Sequence, residues 1–248
     1  MDRTEYIKRQ AELALDGVEG LVGVLLLGSV SAGMDDEDSD YDVQIIVTDE
    51  ALEKHPEYID LMIDLDRKAD IWTTTLGELK AYDRRGTDIP ELLHAVYIMD
   101  PDGLLRETVD ALIRCTPEEQ RALIPGTLDA YYNAVFRSLK SFRRGFTFGG
   151  YQMAASSMDH FTEVLWAVNG FVKPYMNRVP YLLHTLTKLP FSEERTRELI
   201  ERIAKDADIP SQIALLDCML DFMAENGYKK VQDDWEGVLE AEADRHRA

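Results

Sequence analysis

The chain has 248 residues, 45% of them hydrophobic, which is enough to bury a core and more than one small domain needs. Its 27 basic against 47 acidic side chains leave a formal net charge of -20. That balance argues against a partner gripped through many phosphates, such as duplex DNA or tRNA; it is compatible with small substrates and favours cationic ones by long-range attraction.

The opening segment, MDRTEYIKRQAELALDG, has the pattern of a charged amphipathic helix over residues 2–16 closed by Gly17, without the apolar stretch of a signal peptide. Residues 21–27, LVGVLLL, form a short continuous apolar run, as a buried strand would. A polar loop is expected over residues 28–39, then strand character returns in YDVQIIV, residues 41–47. A third strand is expected at residues 69–75, ADIWTTT, from its β-branched content. A helix near residues 89–95 leads to the apolar run Val96-Tyr97-Ile98-Met99, which stops at the turn Asp100-Pro101-Asp102-Gly103.

Beyond about residue 105 helical spacing dominates, as in residues 129–145, 151–170 and 213–227, each ending on a glycine suited to a C-cap. The expected architecture is therefore α+β: a mixed-sheet domain over residues 1–110, then an all-α helical domain over residues 111–248. No apolar run approaches the roughly 20 residues of a membrane span, so no membrane partner is expected. Cys115 and Cys218 lack metal-ligand spacing and point to a reducing, cytoplasmic setting rather than a zinc site or disulfide framework.

Residues 25–47, LLLGSVSAGMDDEDSDYDVQIIV, carry the chemistry. Six of the nine side chains in residues 34–42 are acidic, a density that repels itself unless cations neutralise it. Side chains alternate along a strand, so Asp40, Asp42 and Gln44 share one face while Tyr41, Val43, Ile45 and Val47 share the other. Carboxylates two residues apart, with backbones roughly 6.5–7 Å apart, can reach a shared pair of cations. Hard oxygen ligands of this kind suit magnesium, which retains waters and substrate phosphates. Asp70 completes the set if its strand lies beside the first. Gly28 lets the backbone approach a phosphate closely, and Ser29 adds a hydroxyl donor.

An apolar strand, Gly28-Ser29, an eleven-residue interval to Asp40, Asp-x-Asp opening a strand, and a further strand aspartate follow in order. This order resembles the nucleotidyltransferase superfamily related to DNA polymerase β, especially its small bacterial members that modify antibiotics such as aminoglycosides and lincosamides. The resemblance covers residues 21–75; residues 165–183 are similar to a segment in the helical domain of some of these enzymes. It implies that Gly28 and Ser29 hold a nucleoside triphosphate, with ATP the expected donor. It further implies that Asp40, Asp42 and Asp70 are catalytic and hold two Mg2+ ions, with Lys173 a candidate cation for the nucleotide. The expected reaction is nucleoside monophosphate transfer to a hydroxyl of a small molecule, with loss of pyrophosphate. A catalytically degenerate nucleotide-binding module and nucleotidylation of a protein acceptor are the alternatives.

Other groupings are weaker. Ser29-Val30-Ser31-Ala32-Gly33 comes close to the G-x-S-x-G elbow of α/β-hydrolases, but Ser29 replaces the first glycine and an acidic loop follows. His94, His160 and His184 are available as bases without a distinctive context. Lys140, Arg143 and Arg144 are expected to serve a helix C-terminus before they serve a phosphate. Lys173 and Arg178 flank the segment similar to the family. Asp159 and Glu163 share a helix face and suit either solvent or a cationic substrate. Phe161, Leu165 and Trp166 are expected in the core.

Overall fold

A computed structural model describes residues 3–84, 89–235 and 237–247, and the chain divides into two compact units, Met1–Arg114 and Cys115–Ala248. The expected α+β architecture is present: a four-stranded mixed sheet in the first unit and a helical second unit.

In the first unit, helix α1 (Arg3–Ala14) precedes strand β1 (Leu21–Leu27), whose end runs into α2 (Gly28–Ser31), a single helical turn. Strand β2 (Tyr41–Val47) leads through α3 (Asp49–Lys54) to β3 (Ala69–Thr75). Then come α4 (Leu76–Lys80), α5 (Ile89–Leu92), β4 (Val96–Met99) and α6 (Leu104–Ile113). The strands lie in the order β3-β2-β1-β4, with β1 antiparallel to both neighbours and β2 parallel to β3. The single turn at Gly28–Ser31 corrects the expectation of plain loop from residue 28.

Alternation fixes the sheet's faces. Tyr41, Val43, Ile45 and Val47 pack with Val24, Leu26 and Ile98 against Ile7, Ala11 and Leu15 from the N-terminal segment, one buried cluster on one side. Each such fully buried aliphatic contributes roughly 1.5–3 kcal/mol relative to exposure. On the other side Gly23 admits α6, since a Cβ there would lie 2.7 Å from Leu105 Cδ2 and 2.4 Å from the Met99 carbonyl. The crossover between β2 and β3 is tied down by Asp49, which accepts hydrogen bonds from Thr75 Oγ1 (2.8 Å) and the Gly77 amide (3.0 Å).

The second unit opens with α7 (Pro117–Arg143), started by a Thr116/Glu119 capping box and Pro117 in the first turn. Arg144, Gly145 and Phe146 link it to α8 (Thr147–Val168), with Gly145 at φ 75°. Then follow α9 (Val179–Leu182), α10 (Glu193–Asp206), α11 (Ile209–Glu225), α12 (Lys229–Asp233) and α13 (Val238–Arg247). Tyr131, Tyr132, Phe161, Leu165 and Trp166 are buried in its core, as expected for the last three. Glu242, 3% exposed, accepts from Arg143 Nε (2.7 Å) and Nη2 (3.2 Å), fastening α13 to α7. Arg143 is thereby committed within this unit, and Lys140 lies over the Phe136 ring. Among the described residues no helix is long and apolar enough to cross a membrane.

Candidate active site at one end of the sheet

All four strands bring chemistry-bearing residues to the same end of the sheet. Antiparallel pairing sets Leu27 opposite Asp42, and parallel pairing sets Asp42 level with Asp70. Strand neighbours lie about 4.8 Å apart, so Asp42 and Asp70 are side by side on one face, with Asp40 one residue before β2. Antiparallel pairing of Leu26 with Val96 carries the residues before β4 to this end as well, His94 among them.

Gly28 is the close approach in this arrangement. Its φ is 72°, in the left-handed region, and a Cβ there would lie 1.7 Å from Asp42 Oδ2. Only a hydrogen leaves room for the carboxylate, so the glycine following β1 is required by Asp42 as much as by its own backbone. The Ser31 hydroxyl donates back to the Gly28 carbonyl at 3.0 Å and closes the turn. Ser31 Oγ also lies 2.9 Å from His94 Nδ1, and His94 Nε2 lies 3.9 Å from Glu91 Oε2. Ser29 is half-buried at the start of the same turn.

Lys68 is the residue that the sequence reading missed. Its ammonium lies 3.0 Å from Asp40 Oδ2, and that hydrogen bond leads the causes holding the Asp40 carboxyl below the usual carboxylate range. Asp40 first, then Asp70 and Asp42, raise the Lys68 ammonium in return. Alternation along the chain could have found it, because Lys68 stands two residues before Asp70. Behind the pair, Gln44 is buried level with Trp72, and its Nε2 donates to Tyr82 Oη at 2.9 Å.

The acidic loop has its own internal order. Asp36 Oδ1 accepts from Ser39 Oγ (3.0 Å) and from the Asp38 amide (3.1 Å), which lowers its pKa. Asp35 pairs with Arg3. Ser31 ends one helical turn rather than opening a long helix, so the elbow geometry of a hydrolase is not present there.

Asp40, Asp42, Asp70, Gly28 and Ser29 thus gather at one sheet end, whereas Lys173 belongs to the second unit, where its ammonium lies 2.7 Å from Asp159 Oδ1. Asp159 is engaged by that lysine, and Arg178 lies over the Tyr175 ring. The donor set suits a hard cation. Asp42 and Asp70 offer two adjacent carboxylates, and an ammonium already sits against the third. Among the described residues no three His, Cys, Asp or Glu side chains converge closely enough to enclose one ion. Magnesium needs only one or two carboxylates when substrate phosphates complete its shell.

No protein-family model matches the chain, and no curated protein matches it. Among solved structures it is similar to the crystal structure of a nucleotidyltransferase-like protein from Exiguobacterium sibiricum 255-15. The identity is 10% and the TM-score 0.40, over 92% of this chain and 75% of that one.

Proposed function

We propose that the first unit catalyses transfer of a nucleoside monophosphate from a nucleoside triphosphate, ATP in the first instance, to a hydroxyl of a small molecule. The observation that carries this reading is the level pairing of Asp42 with Asp70 on parallel strands, beside the glycine turn that ends β1. Asp40, Asp42 and Asp70 would hold two Mg2+ ions, which neutralise charge on the phosphates and acidify the attacking hydroxyl. In the reaction the acceptor oxygen bonds to the α-phosphorus, the bond to the bridging oxygen breaks, and pyrophosphate leaves. Asp70, the most exposed of the three carboxylates, takes the hydroxyl proton. The backbone of Gly28 and Ser29 receives the β- and γ-phosphates, orienting the α-phosphate toward the acceptor. The net charge of -20 supports a cationic acceptor.

Asp42→Asn is the direct test. The amide keeps the shape that packs on Gly28 but loses the charge, so the fold should persist while magnesium-dependent pyrophosphate release from ATP is abolished. Turnover like wild type by this variant refutes the assignment.

A further inference from the structure

We propose that His94 is a positioning residue for the Asp42 carboxylate, acting through Ser31 and Gly28. This inference rests on the reading of Asp42 as a metal-holding carboxylate.

The path is made of short contacts. The Ser31 hydroxyl has one proton, and it is directed to the Gly28 carbonyl at 3.0 Å. With that proton on the Gly28 carbonyl, the 2.9 Å contact between Ser31 Oγ and His94 Nδ1 has the imidazole as donor, and the Nδ1–H form is part of the proposal. Ser31 therefore accepts from His94 while donating to Gly28, and each bond polarises the next. Gly28 in turn leaves no space beyond its own hydrogens between its Cα and Asp42. A shift of the turn by a few tenths of an ångström is passed to the carboxylate directly, because the contact has no slack.

The setting gives the histidine a fixed pose. Its side chain is only 5% exposed, and Glu91, one turn earlier, faces Nε2 at 3.9 Å. Leu92, beside it in sequence, is buried. The proton inventory also separates this role from nucleophilic catalysis. A histidine that donates to the serine is not placed to take the serine's proton, so Ser31 is held rather than activated.

Residues that orient a ligand-bearing carboxylate without touching the ion typically change metal affinity by about 10–100-fold. The test compares five variants of the full chain: His94→Ala, Ser31→Ala, the double variant with both alanines, His94→Asn and His94→Gln. Mn2+ affinity is read by calorimetry without nucleotide, alongside KM for ATP and kcat. The alanine variants should each weaken Mn2+ binding about tenfold. The double variant should be no weaker than either single one, since both cut the same path. His94→Asn places an amide near the position of Nδ1 and should recover most of the affinity, whereas His94→Gln, reaching toward the position of Nε2, should not.

Wild-type affinity in both alanine variants overturns the proposal. Equal weakness of the asparagine and alanine variants also overturns it, because the effect would then be lost packing rather than a lost donor. A further readout is independent of any metal. The 15N shifts of His94 should report a protonated Nδ1 that responds to Ser31→Ala, and a bare Nδ1 overturns the proposal. Mn2+ binding unchanged in Asp42→Asn defeats the metal reading and this inference together. Failure confined to the His94 and Ser31 variants defeats this inference alone.

Discussion

Gly28 and Gly33 flank the same short turn and both have positive φ, 72° and 68°, yet their surroundings differ. A Cβ at Gly33 would meet nothing within 4 Å, whereas one at Gly28 would meet Asp42 Oδ2 at 1.7 Å. Gly33→Ala therefore carries only the left-handed backbone penalty, about 1 kcal/mol. Gly28→Ala adds a steric clash and should destabilise by roughly 2–4 kcal/mol. Urea midpoints of the two variants check this, and equal losses would show that Asp42 does not press on residue 28. Asp40 offers a second test at the same scale. With Lys68→Met the carboxyl loses its hydrogen-bond donor and nearest cation, so its pKa should move up toward the ordinary aspartate value, read by 13C titration. An unchanged value would mean that the ion pair does not persist in solution.

At the scale of elements, what the sequence disclosed follows from period and range. Three strands were legible because each is a short apolar or β-branched run of the right length, whereas the four residues of β4 stood out only as an apolar run; the shared face of Asp40 and Asp42 follows from alternation alone. The pairing of Asp42 with Asp70 was not legible, since register between strands is a tertiary choice; it had to be supposed. The Ser31–His94 bond was out of reach because its partners are 63 residues apart, and a histidine outside any local pattern carries no signal. Helical periodicity could mark the apolar faces of α7 and α13 but not the ion pair between them. Burial works to raise the Glu242 carboxyl; the Arg143 bond, with the charges of Arg143, Arg245 and His246, outweighs it and leaves the pKa lowered. A lowered folded value means the stabilisation is present above the ordinary value of 4.5 and is lost as pH falls through the folded one. Glu242→Gln should thus lower stability at neutral pH by roughly 1–2 kcal/mol and flatten the acid limb of the stability profile. An acid limb as steep as that of wild type would place the titrating group elsewhere.

Across the whole molecule the two units differ in how far apart in sequence their packed elements lie. Helices α7 and α8 are joined by three residues and pack on each other directly, so their contacts form with little loop closure. Strands β2 and β3 are parallel, and Val43 meets Ile71, a separation of 71 − 43 = 28 residues, across a crossover that must order first. That contrast has a consequence in time. Local helical pairs close quickly and non-local parallel pairs slowly, so pulse-labelled amides of α7 and α8 should gain protection before those of β2 and β3. The reverse order would sink this expectation. Asp42 and Asp70 become neighbours only when the parallel pair closes. Their mutual repulsion is therefore absent from the early collapsed chain and is met only when that pair closes, where divalent cations should hasten the closing of the sheet.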